Sequence, residues 1–572
     1  MKRTNFIALT ALLLAVCVPL LLPAVRESIT SFVGEHIIRK TYRSDFWDIE
    51  LMRFGITGLV FVVLGCFCFL FEKKLTFALT KKTYIGIETS LIAIFATACI
   101  GLILINQSVW FDEVWSLMMI RRSWTEMFDL LAEIDQHPPL YYILLKLTVA
   151  LTGESFFAIK ILSVVPSVLT LVAATVFLHR RFSPRTAVIF ILCFIASDCL
   201  LHYSIEIRMY SWAFFFVTLL SISAYDFAKT GHNKWLVMFA AAAIGAAYTN
   251  LYAALAAGII YAMSFLYIYV KQRRLIGKLL FIGFVCAATF LPQIFVIVEQ
   301  LKNTVGSFWI EDSTNLRAFA DYINIVFSNG NRITAFAWFL AFCGMVAHFA
   351  RKKDKTFNDG YAFACLACVV LFLAFNLLVS VAIAPLFIGR YLLPVCPLVW
   401  LFLSIEAGRA GNKIAVMLLI GFLSIMAVGS FSTRFQGEYH ENVDYQQFRS
   451  CIESELSDDD VFLFTDSHLT FSHISGVLSW LYPGHVHVFP DNNCNKFDKL
   501  LNRKSIGLTR FQAGTQFTAH PVWLFTGASE DANATIAKIE DTNGKSRNCG
   551  DFGWNIYRFR VFRYKSTNIL PM

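Results

Sequence analysis

Apolar runs of about 20 residues, the length a helix needs to cross a bilayer, recur along most of this 572-residue chain. Short clusters of Lys and Arg stand between them. The pattern is restrictive because backbone inside hydrocarbon must satisfy its own hydrogen bonds, which a helix does within one segment. Hydrophobic residues make up 57% of the chain and charged residues 16%, with 56 Phe, a balance outside that of a soluble globular protein. The sequence therefore predicts a polytopic α-helical membrane protein. Its net charge of +9 requires no nucleic-acid partner, since the basic residues fall where they set orientation.

Charge fixes an expected sidedness. Lys2-Arg3 followed by Phe6 to Val25 is a first span or a signal peptide, and both alternatives put Arg26 outside. A second span near Gly55 to Phe71 leads to Lys73, Lys74, Lys81 and Lys82 on the cytoplasmic side. The third, Tyr84 to Ile105, then delivers Trp110-Phe-Asp112-Glu113-Val-Trp115 to the extracytoplasmic face. Leu140 to Leu151 is apolar but only about half of a span, so it reads as a helix lying in the interface. That assignment keeps Arg180, Arg181 and Arg185 inside. The remaining runs are Ala158 to Leu178, Thr186 to His202, Met209 to Ala228, Trp235 to Thr249, Leu251 to Val270, Ile276 to Val298, Ile333 to Ala350, Tyr361 to Ala384, Tyr391 to Ile405 and Lys413 to Phe431. They bring the total to about 13 spans, with a polar loop from Glu299 to Arg332.

Composition shifts near Gln436. Beyond it lie strand-like runs at Val461 to Phe464, Val486 to Phe489, Val522 to Phe525 and Ile556 to Tyr564, with helical spacing from Asp444 to Leu456, which predicts a small extracytoplasmic α/β domain. The expected organisation is two N-terminal spans (1–83), a membrane domain (84–435) with an external loop at 106–157, and the C-terminal domain (436–572). Of the 14 cysteines, only Cys451, Cys494 and Cys549 lie in that last domain, enough for one disulfide among themselves.

With this sidedness, polar groups far apart in sequence reach one face: Asp112-Glu113, His137, Glu206-Ile-Arg208-Met-Tyr210 and Arg390-Tyr391. Carboxylates at the mouth of a span are costly unless solvated, paired or used. Arginines at outer span ends run against the positive-inside bias, although snorkelling or headgroup contact would also place them there. A guanidinium fork matches phosphate geometry, so Arg208 and Arg390 beside a carboxylate pair suggest a lipid-linked phosphate leaving group opposite a general base. His137 is an acceptor or metal contact, or simply starts the helix after Pro138-Pro139. Tyr141, Tyr142 and Tyr210 are sugar-stacking candidates or an aromatic belt. Asp458-Asp-Asp460 reads as a solvated loop, and His485 and His487 have no third ligand beside them. No Walker loop, dinucleotide fingerprint or zinc spacing occurs.

These segments resemble the family 39 glycosyltransferases of the GT-C superfamily, relatives of protein O-mannosyltransferases and aminoarabinose transferases. Phe-Asp112-Glu113 is similar to the family's acidic motif in its first large external loop, and His137-Pro-Pro-Leu-Tyr-Tyr142 to the segment after it. His202-Tyr-Ser-Ile-Glu206-Ile-Arg208-Met-Tyr210 resembles its "SQEARMY" stretch, with Ile205 and Ile207 in place of Gln and Ala. Tyr248-Thr-Asn-Leu-Tyr252 and Gly389-Arg390-Tyr-Leu-Leu-Pro394 also match in kind, and together the segments cover about Tyr84 to Phe431.

The resemblance implies a GT-C-like membrane enzyme of the cell envelope. It would move a hexose or pentose, with inversion, from a polyprenyl phosphate to an extracytoplasmic glycan, lipid or protein. Asp112 would be the base, with Glu113 in second-shell, acceptor or metal contact. Arg208 and Arg390 would hold the donor phosphate, and His137, Glu206, Tyr210 and Tyr391 would contact substrate. A divalent cation is compatible with this chemistry but not required by it. The alternative is a transporter or flippase of lipid-linked sugars, which would need polar residues reachable from both faces.

Overall fold

The computed structural model describes residues 3–36, scattered positions in 51–66, 80–304 apart from 134 and 136, 324–327, 332–382 apart from 353 and 354, and 388–464 apart from 412. In the C-terminal part it describes 469–488, 521–527, 536, 546–553 and 559–564. The second expected span and most of the expected loop from Glu299 lie outside these residues.

Helices α1 (Arg3–Cys17), α2 (Pro23–His36), α3 (Lys81–Ile105), α4 (Phe111–Arg121), α5 (Trp124–Glu133), α6 (Leu140–Thr152), α7 (Phe156–Arg181), α8 (Pro184–Ala196) and α9 (Asp198–Tyr203) come first. They are followed by α10 (Tyr210–Thr230), α11 (Asn233–Thr249), α12 (Leu251–Lys271), α13 (Ile276–Thr304), α14 (Arg332–Ala350), α15 (Phe357–Ala382), α16 (Cys396–Gly408), α17 (Lys413–Glu453) and α18 (Leu469–Leu481). Among the described residues, 8 helices are long and apolar enough to cross a bilayer, or up to 9 if one bent pair counts as a span. They include α3, α7, α10, α12, α13, α15 and α17, together with α16 and the 3-10 turn (Gly389–Val395) that precedes it.

Local chemistry sets the ends of these helices. Ser183 caps α8 by accepting from Thr186 N, with Pro184 in the first turn where a missing N–H costs nothing. Asn250 separates α11 from α12, its side chain accepting from Tyr252 N and Ala253 N. Gly231, at φ 68°, closes α10 in the left-handed region where a Cβ is penalised.

Three expected segments differ. The run from Phe6 to Val25 is not one straight helix: α1 and α2 are bent by 89° about the short Pro19–Leu21 turn. Pro19 and Pro23 withhold backbone donors there, and Arg26 Nη1 donates to the carbonyls of Leu20 and Leu21 at 3.1 and 2.9 Å. The run from Thr186 to His202 breaks at Ser197 into α8 and α9, with Ser430 Oγ donating to the Ala196 carbonyl at 2.6 Å and Arg434 pairing with Asp198 at 2.8 Å. Finally, α17 continues for 41 residues through Gln436. The polar turn in composition leaves strong helix formers and no proline, so it does not end the helix.

The chain packs as two compact units. One comprises residues Met1–Ile100, Ser163–Ile205 and Met209–Arg434; the other comprises Gly101–Leu162, Glu206–Arg208 and Phe435–Met572. In the first unit, Gly408 lies where a Cβ would come within 2.2 Å of Thr186 Oγ1, so α8 and α16 touch backbone to side chain.

The second unit is built on a five-stranded sheet of order β2-β1-β3-β5-β4, formed by β1 (Val461–Phe464), β2 (Val486–Val488), β3 (Val522–Thr526), β4 (Arg547–Phe552) and β5 (Phe559–Tyr564). β1 pairs parallel with β2 and β3, and β5 pairs antiparallel with β3 and β4. Helix α18 makes the β1-to-β2 crossover that a parallel pair requires. Leu463, Val522, Leu524, Phe562 and Tyr564 form a buried cluster, while Phe448 of α17 meets Phe525 and Phe559 edge-on. Expected strands therefore form at four places. β4 was not expected, because Arg547-Asn-Cys-Gly-Asp-Phe552 lacks alternation. Asp460 is a buried acceptor for Trp523 Nε1 at 2.7 Å rather than part of a solvated loop.

Candidate active site

Asp112 and Glu113 occupy the first turn of α4, where the helix dipole favours carboxylates. Successive helical side chains point about 100° apart, and here the two diverge in environment. Asp112 is half-buried, whereas Glu113 is only 4% exposed. Glu113 accepts from Trp110 N at 3.3 Å and from Ile207 N at 3.0 Å, with Lys160 Nζ 3.9 Å away. Burial raises the Glu113 carboxyl above its ordinary value, opposed by the Lys160 charge and the two backbone donors. Its role in this arrangement is to clamp the Glu206–Arg208 segment against α4. Trp110 adds a second tie, its Nε1 donating to Glu206 at 3.1 Å.

Arg208 is 4% exposed and reaches under the acidic turn. Its Nη1 donates to the Asp112 carbonyl and to Ser116 Oγ, both at 3.2 Å, and its Nη2 lies 3.4 Å from His137 Nε2. Asp112, Ser116, His137 and Arg208 thus form one contiguous cluster within the second unit.

His137 is held by a residue that sequence reading passed over. Asp135 Oδ1 lies 2.6 Å from His137 Nδ1 and accepts from its backbone N at 3.1 Å. Asp135 Oδ2 accepts from Tyr142 Oη at 2.5 Å and from Trp115 Nε1 at 3.0 Å. Asp135 thereby orients the ring and turns His137 Nε2 toward Arg208. Burial works to raise the Asp135 carboxyl, but the charge and hydrogen bond of His137, the Arg208 charge and the Tyr142 hydroxyl outweigh it, holding the carboxyl well below the usual aspartate range. Tyr141 and Tyr142 are fully buried, so Tyr142 serves this carboxylate and neither ring is a sugar platform or interface belt. The Asp-x-His spacing before Pro138-Pro139 was the available signal. Lys160 was also discoverable, as an ionisable residue inside an apolar run.

The Asp135 network carries a pH prediction. A carboxyl depressed in the fold contributes stability that is fully present above its unfolded value near 3.9 and disappears as pH falls through the lower folded value. Asp135→Asn is therefore expected to cost about 1.5–3 kcal/mol at neutral pH and to flatten the loss of stability below about pH 4. Thermal unfolding in detergent from neutral to acid pH checks both; an unchanged acid limb would remove Asp135 from this role.

Behind the acidic turn, α18 supplies support. Phe111 stacks on His473 with ring centroids 4.0 Å apart at 16°, and a Cβ at Gly476 would come within 3.1 Å of the Phe111 ring. Gly476→Val is expected to push Phe111 aside and lower activity with the sheet domain still folded, as measured by turnover alongside near-ultraviolet circular dichroism.

The first unit holds the remaining candidates. Arg390 and Tyr391 lie in the 3-10 turn Gly389–Val395, both half-buried. Tyr391 stacks on Tyr252 at 4.2 Å and 19°, and the Arg390 guanidinium lies 5.9 Å from the Tyr391 ring centre. A Cβ on Gly389 would lie 1.8 Å from Ile325 Cδ1, so a larger residue before Arg390 would have to turn that side chain aside. Tyr210 is 1% exposed, its ring edge-on to Tyr203 at 4.9 Å. Among the described residues, no three His, Cys, Asp or Glu side chains converge as a metal-holding group.

The architecture is that of a polytopic α-helical membrane protein with a C-terminal sheet domain. Solved structures of ArnT from Cupriavidus metallidurans share it. The crystal structure bound to undecaprenyl phosphate superposes with a TM-score of 0.58 at 11% identity, covering 83% of this chain and 97% of that one. The apo structure gives 0.59 at 12% identity, covering 84% and 98%. No family model and no curated protein sequence matches the chain. At this identity the likeness speaks to the fold.

Proposed function

We propose that this protein is a membrane glycosyltransferase that moves a sugar from a polyprenyl-phosphate donor to an extracytoplasmic acceptor with inversion. The observation that carries the reading is the division of labour in the acidic turn. Glu113 is buried and committed to backbone donors and Lys160, while Asp112 is half-exposed on a turn braced by Arg208, His137 and α18. The likeness to ArnT supports it, since one of those structures holds undecaprenyl phosphate.

In this reaction an acceptor hydroxyl oxygen attacks the anomeric carbon, the carbon–oxygen bond to phosphate breaks, and polyprenyl phosphate leaves. Asp112 takes the hydroxyl proton during attack, a contribution of about 10²–10⁴-fold. Arg208 supplies positive charge for the departing phosphate and also fixes the backbone carbonyl of the base residue, and the sequence resemblance assigns phosphate contact to Arg390 as well. His137, oriented by Asp135, presents Nε2 to the same cluster. Glu206 belongs to the same cluster through Trp110, and the sequence resemblance assigns substrate contact to Tyr210 and Tyr391.

Arg390→Lys keeps the charge but loses the bidentate fork, so donor use is expected to fall while expression stays normal. Loss mainly in turnover would mean that the contact strengthens as the phosphate leaves, and loss mainly in apparent donor affinity that it is made throughout. Normal kinetics would reassign Arg390 to headgroup contact. Mass spectrometry of envelope glycans and lipids from a deletion strain identifies sugar and acceptor together; an unchanged profile would count against the transferase reading.

A further inference from the structure

The C-terminal domain contains a cysteine pair that the transferase chemistry does not use. Cys451 lies near the end of α17, and Cys549 lies in β4, the edge strand of the sheet. Both are half-buried thiols lining one cleft of about 780 Å3 with Ser450, Arg547, Gly550 and Asp551. They are 98 positions apart in sequence, yet the Cys451 thiol lies 3.9 Å from the Cys549 carbonyl, while the Cys549 thiol lies 3.8 Å from the Arg547 carbonyl.

Their meeting follows from a defect in the sheet. The β4–β5 register passes from Asn548↔Phe562 to Gly550↔Val561, so Cys549 is the extra residue of a bulge, with Gly550 at φ 131° beside it. A bulge leaves its extra residue unpaired and re-aims the side chain. On the helix side, Glu455 anchors the approach by pairing with both Arg547 and Arg563.

We propose that Cys451 and Cys549 form a disulfide that fastens the edge strand β4 to helix α17 once the domain reaches an oxidising compartment. The inference rests on the extracytoplasmic placement of this domain in the proposed function, since thiols on the cytoplasmic side stay reduced. Cys549 is the initiating thiol. Hydrogen bonding from Cys451, against the opposing effect of burial, and the charges of Arg547 and Arg563 lower it to about 7, so a substantial thiolate fraction exists at neutral pH. The Cys549 thiolate attacks the disulfide of a dithiol–disulfide exchange protein, forming a mixed disulfide and releasing one of that protein's thiols. Cys451, deprotonated to solvent, then attacks the Cys549 sulfur and expels the second. Two electrons and two protons pass to the exchange partner in all. An open sheet edge is a pairing hazard, and a covalent tie holds this one on its helix.

The test uses full-length protein isolated from membranes without reductant, with free thiols blocked by N-ethylmaleimide under denaturing conditions before digestion and mass spectrometry. The expected result is a Cys451–Cys549 linked peptide pair, lighter than the separate peptides by two hydrogens. Reductant is expected to lower the wild-type thermal midpoint by about 5–10 °C and to leave that of Cys451→Ser unmoved. Recovery of both cysteines as blocked thiols, or linkage of either to Cys494, would overturn the proposal. Treating the purified protein with oxidised glutathione then separates the causes. Linkage under those conditions points to a domain on the cytoplasmic side, and no linkage places the failure in the geometry of the pair while leaving the transferase reading untouched.

Discussion

Asp112→Asn is expected to abolish sugar transfer while leaving the fold and donor binding close to wild type. The amide matches the carboxylate in size and can still accept a hydrogen bond, so the half-exposed first turn of α4 keeps its shape. It cannot take a proton from an attacking hydroxyl. Loss of general-base help predicts a fall of about 10²–10⁴-fold, and more if the carboxylate also orients the nucleophile. Because Arg208 donates to the Asp112 backbone carbonyl, which the substitution leaves in place, that brace at 3.2 Å survives. Single-turnover kinetics with a separate donor-binding measurement distinguishes lost chemistry from lost affinity. An unfolded Asp112→Asn protein would place this residue among the structural carboxylates.

Glu113→Ala is expected to have the opposite profile, with stability lost first. Removing the buried carboxylate leaves the Lys160 ammonium without its partner and strips the acceptor from Trp110 N and Ile207 N. Breaking one side of a buried ion pair costs about 3–5 kcal/mol, and two orphaned backbone donors add to it. Activity should fall with it, since the Ile207 contact is one of the ties that hold the Glu206–Arg208 segment against α4. Glu113→Gln keeps an acceptor and should cost less. A double-mutant cycle with Lys160→Met measures the coupling, because removing both charges should recover part of the loss. Wild-type thermal stability in Glu113→Ala would show that Glu113 is not the clamp described.

The neighbouring carboxylates Asp112 and Glu113 also show how far sequence reading reaches. Their divergence was legible, because adjacent residues in a regular turn cannot share a direction. Which one was buried was not, since that depends on Lys160 and Ile207, brought in from an apolar helix and a separate loop. Asp135 was hidden for a similar reason: its partners Trp115 and Tyr142 lie on two other helices, and only folding gathers them onto one carboxylate. Long apolar runs form single helices at α3, α7 and α13, the last two with one isolated proline each, Pro166 and Pro292, inside them. The run with both Pro19 and Pro23 and the run with Ser197-Asp198 broke there, because a length count does not register two missing donors within one turn or a half-buried ion pair. Beyond Phe431, composition marked a change of solvent, whereas helix α17 responds to propensity and runs on to Glu453. Strand β4 escaped detection because its bulge at Cys549 cancels the period of two on which strand patterns depend.

The central claim is that this chain transfers sugar and that Asp112 is the base. The most direct measurement is made with the purified full-length protein in lipid, a polyprenyl-phosphate sugar and the acceptor identified from envelope analysis, following release of polyprenyl phosphate. Wild-type protein is predicted to release it in step with glycosylated acceptor, and Asp112→Asn to release it at least about 10²-fold more slowly. Equal release by the two proteins, or movement of the lipid-linked sugar across the bilayer with no transfer by the wild type, would contradict it.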